Sequence, residues 1–241
     1  MYMARHGDGD PVLLLLHGLG ATGEVWDGLV SSLDGRWPGT VLVPDLPGHG
    51  RSAPLPRYSF GELTAAVAAV LEPGRPVVVL GHSLGGVLGL TLGSGWFGVP
   101  VSAVCGLGIK VRWSPDELAK AASLAAKPAK TFGTREEAMD RALKVAGLHG
   151  LVPSLEAGVV ADEGWRLTLD GAAFGVGAPD MAGLLAACRA TVMLASGSAD
   201  EMSPPAHLRE LRDDAVELAG VGHNAHVESP SALWPLLDRF A

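Results

Sequence analysis

The stretch Val77-Val78-Val79-Leu80-Gly81-His82-Ser83-Leu84-Gly85-Gly86 constrains this chain more than any other. An apolar run of strand length meets a turn with a small residue on each side of a serine, and a second apolar segment of helix length follows. Such a turn needs glycine where a Cβ would collide, and Gly81, Gly85 and Gly86 meet that need. The pattern predicts a serine hydroxyl raised above the end of a strand. It also predicts the Leu84 amide, at the start of a helix, aimed at negative charge developing on a bound carbonyl. That geometry serves acyl transfer. Glycine makes up 33 of 241 residues, so short matches of this type arise by chance and the flanking segments must decide.

A serine hydroxyl is a weak nucleophile at neutral pH and needs a histidine base, usually held by a carboxylate. For a strand-turn-helix serine the acid and then the histidine are expected downstream. The apolar run Thr191 to Ala195 leads into Gly197-Ser198-Ala199-Asp200, and Gly222-His223 follows the apolar-rich stretch Ala215 to Val221. Asp200 and His223 are therefore the predicted acid and base. Upstream, the run Val12 to Leu16 ends in His17-Gly18-Leu19-Gly20, a buried strand opening into a loop. Leu19 is the natural second amide donor of an oxyanion hole beside Leu84.

Five segments in order resemble the α/β-hydrolase superfamily across nearly the whole length: His17-Gly18-Leu19-Gly20 with Trp26, Asp45-Leu46-Pro47-Gly48-His49-Gly50-Arg51-Ser52, Gly81 to Gly86, Gly197 to Asp200 with Pro204, and Gly222-His223 with Glu228 and Pro230. The resemblance implies Ser83 as nucleophile, His223 as base, Asp200 as acid, and the Leu19 and Leu84 amides as oxyanion hole. It implies an α/β fold with a doubly wound, mostly parallel sheet and a helical cap inserted after the sixth strand. The core would comprise residues 1–108 and 182–241, and the cap 109–181. Trp113, Phe132, Trp165, Phe174 and Met181 are candidates for lining a substrate pocket under that cap, although ordinary packing competes for each. The family usually begins with an antiparallel hairpin, for which the residues ahead of Pro11 are too few, so one strand is expected missing or reduced to Tyr2 to Arg5.

Strands are predicted at Val12 to Leu16, Thr40 to Val43, Pro76 to Leu80, Val101 to Gly106, Thr191 to Ala195 and Ala215 to Leu218. Continuous apolar runs of this kind suit strands buried on both faces. Helices are predicted at Val25 to Leu33, Phe60 to Leu71, Leu84 to Gly93, Ser203 to Arg212 and Ser231 to Phe240. Between Ile109 and about Asp180 the pattern gives helices near Pro115 to Lys127, Thr134 to Ala146 and Ser154 to Val160, and no strand.

Hydrophobic residues at 48% and charged residues at 18% predict a soluble globular chain with no stretch long enough to span a bilayer. The net charge of -8 argues against a nucleic-acid partner, and no basic cluster stands out beyond the scattered Lys120, Lys127 and Lys130. The N-terminal residues lack the apolar core of a signal peptide, so a cytoplasmic location is expected. Cys105 and Cys188 are expected to be buried thiols rather than a disulfide. No cofactor is predicted.

Rival assignments exist for several residues. His226 competes with His223 as base and is otherwise expected near the site or at the surface; Asp45 and Asp180 compete with Asp200; His17, His49 and His82 are expected to be structural. His223, His226 and Glu228 lack the helical i, i+4 histidine pair of zinc hydrolases, so no metal site is predicted. The glycines lack phosphate-loop and dinucleotide spacing. The expected activity is serine hydrolysis of a small carboxylic ester or lactone in a modest apolar pocket, its rate rising through one histidine ionisation between about pH 5 and 8. Thioesterase, perhydrolase and carbon-carbon hydrolase chemistry use the same triad, and a non-catalytic ligand-binding protein is the alternative from another class. Ser83 stands where dehalogenase and epoxide-hydrolase relatives carry Asp.

Overall fold

The apolar runs are strands, laid side by side, with side chains alternating between two cores. The computed structural model of the chain describes residues 1–33 and 35–240. Strands β1 (Met3–His6), β2 (Val12–Leu16), β3 (Val41–Pro44), β4 (Val77–His82) and β5 (Val101–Leu107) come first. Short strands β6 (Thr131–Phe132), β7 (Val159–Ala161) and β8 (Trp165–Leu167) follow, then β9 (Thr191–Gly197) and β10 (Val216–Leu218). A seven-stranded sheet runs in the order β1-β3-β2-β4-β5-β9-β10. Its pairings are parallel except β1 with β3, so β1 is the reduced N-terminal strand the sequence led us to expect.

Successive residues of a strand point to opposite faces, and here both faces are covered. Leu13, Leu15, Val78 and Leu80 join a core with Trp26 and Leu29, whereas Val12, Leu14, Leu16, Val77 and Val79 join one with Leu63, Val67 and Leu88. Helices α1 (Asp27–Ser32), α8 (Ala225–Glu228) and α9 (Trp234–Leu237) contribute to the first core. Helices α2 (Phe60–Ala68) and α3 (Leu84–Gly93) contribute to the second. Every residue of α3 is buried, because it lies directly on the centre of the sheet. Truncating one of the central leucines to Ala costs about 2 to 5 kcal/mol.

Between β5 and β9 the chain leaves the sheet to form α4 (Pro115–Ala125), α5 (Arg135–Val145), the three short strands, a 3-10 turn at Gly171–Val176 and α6 (Met181–Ala187). Pro115 opens α4 behind a reciprocal cap in which the Ser114 hydroxyl accepts from the Glu117 amide and the Glu117 carboxylate from the Ser114 amide. Thr134 caps α5 in the simpler way, its hydroxyl accepting from the Glu137 amide.

Two expectations for this segment need correction. It is not purely helical: β6, β8 and β7 form a small antiparallel sheet. The helix expected over Ser154 to Val160 is a 3-10 turn at Glu156–Gly158 running into β7, where the β-branched Val159 and Val160 favour extended backbone. The strand ahead of the segment is β5, the fifth in this chain's own order. Helix α7 (Pro205–Arg209) is shorter than expected and leads toward β10. Among the described residues no helix is long and apolar enough to cross a membrane.

Candidate active site

Ser83 occupies the turn between β4 and α3 with φ 49° and ψ -113°, and Ser83 and Glu163 are the non-glycine residues with positive φ among those described. Holding a side-chain-bearing residue there costs about 1 to 3 kcal/mol, so the surroundings must impose it. They do so by close approach. A Cβ on Gly81 would lie 2.2 Å from the Gly85 carbonyl oxygen, and one on Gly85 would lie 2.2 Å from that of Leu16. The Ser83 amide donates to the Leu107 carbonyl at 2.8 Å, which ties the turn to the end of β5.

Asp200 follows β9 and its side chain is fully buried. Its Oδ1 accepts the amides of Met202 at 2.9 Å and Ser203 at 2.8 Å, while Oδ2 lies 2.9 Å from Nδ1 of His223. With a carboxylate as partner, Nδ1 carries the proton and Nε2 is left as the acceptor. The loop holding His223 is clamped on both sides. Glu228 accepts the amide of Gly222 at 2.7 Å and that of Asn224 at 3.1 Å, and His82 Nε2 donates to the His223 carbonyl at 2.9 Å. The Asn224 side chain donates to the Gly147 carbonyl at 2.9 Å, which couples this loop to the end of α5.

The loop after β2 is shaped by His17, whose Nδ1 donates to the Gly18 carbonyl at 2.9 Å while Nε2 accepts the Leu46 amide at 2.9 Å. Both ring nitrogens are used in the neutral form, and burial pushes the His17 pKa down to about 4. Asp45 is not beside His223. Its carboxylate accepts the amides of Gly23 and Arg51 and the Arg51 Nε, and this shapes the neighbouring loop. Burial alone would raise the Asp45 pKa, but Arg51 and these amides hold it below the usual carboxylate value. Asp180 caps α6 through the Gly183 amide.

A cleft of about 440 Å³ opens over these elements, with Leu19, His82, Ser83, Leu84 and His223 in its wall. Leu84 is the first residue of α3, where amides have no intrahelical acceptor. Among the described residues no hydrogen bond joins Ser83 to His223; the two share the cleft. Of the five side chains expected to line it, Trp113 and Phe174 do. Phe132, Trp165 and Met181 are placed elsewhere. Phe132 and Trp165 face each other across β6 and β8 and pack on the first core, and Met181 is buried in the second. The surface of the cleft is mostly apolar, and the charged Lys110, Glu117, Lys120 and Lys144 also belong to its wall.

His226 is buried rather than superficial. Its ring lies 4.5 Å from Trp26 and 4.4 Å from His82 between centroids, and neither ring nitrogen has a partner. Burial lowers its pKa to about 3, with His223 and His17 adding to the effect. Among the described residues no group of three or more His, Cys, Asp or Glu is placed to hold a metal ion. Cys105 is buried and Cys188 half-buried, both as free thiols.

The family described as alpha/beta hydrolases matches residues 13–235, from the second strand to the last helix. This chain belongs to it. The chain is 41% identical over 102 residues to a magnesium-chelatase 30 kDa subunit of Rhodobacter capsulatus, covering 40% of this chain and 34% of that protein. It is 34% identical over 88 residues to the pimeloyl-[acyl-carrier protein] methyl ester esterase of Proteus mirabilis, covering 36% of this chain and 33% of the relative. The matched stretch thus spans about a third of either relative's length. Among solved structures, the thioesterase domain from the curacin biosynthetic pathway superposes with a TM-score of 0.77 at 20% identity, over 98% of this chain and 94% of that one. An esterase of M. tuberculosis superposes with 0.76 at 24% identity, over 98% and 86%. At these identities the superpositions show the fold.

Sequence reasoning missed two residues around His223. Glu228 was noted only within a motif, and His82 only as structural, because both act on backbone groups. An acidic side chain five positions after a Gly-His pair was the available signal for Glu228. Nothing in the sequence announced that His82 reaches the His223 carbonyl.

Proposed function

We propose that this chain is a serine hydrolase acting on an ester-like carbonyl. His223 takes the Ser83 proton through Nε2, and the Ser83 oxygen attacks the carbonyl. The amides of Leu19 and Leu84 hold the resulting oxyanion. Collapse expels the alcohol, protonated by His223, and leaves an acyl group on Ser83. His223 then activates water for deacylation, while Asp200 keeps the ring in one tautomer and supports the imidazolium. Small carboxylic esters or lactones are the substrates proposed, in keeping with the cleft size. The ester named for the Proteus mirabilis relative supports the same bond type.

The observation that carries this reading is one cleft shared by a serine held at positive φ and a histidine fixed by a buried carboxylate. Its test is the hydrolysis of p-nitrophenyl esters from acetate to laurate, with no metal or cofactor added. Turnover is expected for the wild type and a loss of at least about 10⁴-fold in Ser83→Ala. Equal turnover by the variant would overturn the reading.

A further inference from the structure

All five lysines of the chain, Lys110, Lys120, Lys127, Lys130 and Lys144, fall between the end of β5 and the end of α5. Lys110, Lys120 and Lys144 are in the wall of the Ser83 cleft, and Glu117 is its one acidic lining residue. Three positive charges against one negative make the wall +2 in a chain of net charge -8. Chance scatter of solvated lysines does not favour that placement.

The charges differ in how far they are already engaged. The Lys110 ammonium pairs with Glu117 and lies 4.8 Å from the centre of the Trp113 ring. Lys144 pairs with Asp140 at 2.7 Å on the open side of α5. Among the described residues Lys120 has no carboxylate within ion-pair distance. Helix α4 buries none of its residues fully, yet it turns Leu118, Ala121 and Leu124 to the cleft at helical spacing beside Lys120. The wall therefore offers an apolar strip and an uncommitted ammonium on a flexible stem, with a second ammonium on the other helix.

We propose that the cleft selects an ester carrying a carboxylate at the end remote from the scissile bond, with Lys120 as its main contact and Lys144 as the second. This rests on the serine hydrolase reading for the identity of the scissile group. The apolar faces of α4 take the chain between the two ends. An anionic substrate needs this local cation cluster, because the remainder of the molecule repels it.

Binding separates this proposal from the chemistry. Calorimetric titration of the Ser83→Ala protein with monoethyl suberate and with diethyl suberate compares a carboxylate with a neutral end on the same chain. The half-ester should bind about three- to tenfold more tightly at low ionic strength, and the preference should shrink at molar salt. Adding Lys120→Glu and Lys144→Glu should abolish or reverse it, with thermal midpoints confirming that the variants are folded. Equal affinity for the two ligands, or a preference that survives both charge reversals, would overturn the proposal. Wild-type hydrolysis of the same two esters then reports on the serine reading alone.

Discussion

His82 sits one position before Ser83 and reaches across to the backbone that carries His223. Its Nε2 donates to the His223 carbonyl at 2.9 Å, and the two rings lie 4.6 Å apart between centroids. Burial, helped by His226 and His223, pushes its pKa well below the ordinary histidine value, so it acts as a neutral donor. Removing the donor would free the loop that holds His223, the proposed base. His82→Ala should lower kcat by about 10- to 100-fold with a smaller change in KM, and His82→Gln, which can still donate, should recover part of it. A kcat unchanged in His82→Ala would contradict this positioning role. Asp200→Asn exchanges the acceptor on Nδ1 for an amide and should cost about 10⁴ in kcat with the fold intact. An Asn variant within tenfold of the wild type would show that Asp200 does not orient the base. The Ser, Asp and His candidates were legible because motif spacing names them directly. His82 and Glu228 were not, because their partners are a carbonyl and two amides, which leave no trace in residue type.

The elements flanking the cleft are joined by few side-chain ties. Tyr58 donates to Asp170 at 2.7 Å, the Asp170 amide donates to the Gly48 carbonyl at 2.8 Å, and Glu24 accepts the Ala157 amide at 3.0 Å. These ties hold the segment between β5 and β9 to the loops of the main sheet. Burial and Asp170 both raise the Tyr58 pKa, so the hydroxyl stays a donor throughout the working range. Tyr58→Phe should lower stability by about 1 to 2 kcal/mol and raise KM more than it lowers kcat, since the walls of the cleft loosen while Ser83 and His223 stay in place. Denaturant melts and steady-state kinetics check both parts, and an unaltered KM would place the tie outside the cleft's control. At this scale the long strands were legible from their continuous apolar runs. The strands β6, β7 and β8 were not, because two or three residues are too few to show a period, and β6 meets β8 only across the intervening helix α5. Phe132 and Trp165 were misplaced for the same reason: an aromatic on an unrecognised strand was counted as cleft lining.

At the scale of the whole molecule, four histidines are buried among the described residues: His17, His49, His82 and His226. Burial is the main cause of the lowered pKa of each and brings His17 to about 4 and His49 and His226 to about 3, with His82 also well down. In the unfolded chain a histidine takes up its proton near pH 6.5. Below that pH the unfolded state binds more protons than the folded one, so stability falls as pH falls. The stabilisation is complete above about pH 6.5 and is withdrawn toward pH 3 to 4, at up to about 1.4 kcal/mol per unit for each histidine. Thermal midpoints should therefore drop steeply between pH 6.5 and 4.5, and His226→Leu should flatten the slope. A wild-type midpoint constant over that interval would show these rings to be solvated or already charged.

Serine hydrolysis by this chain requires Ser83 to be an activated nucleophile under the control of His223. The most direct measurement is labelling of the wild-type protein with a fluorophosphonate, followed by peptide mapping, beside Ser83→Ala and His223→Ala. One adduct is expected, on Ser83, absent in Ser83→Ala and formed orders of magnitude more slowly in His223→Ala. An unlabelled wild-type protein, or labelling at another residue that survives Ser83→Ala, would contradict this role for Ser83.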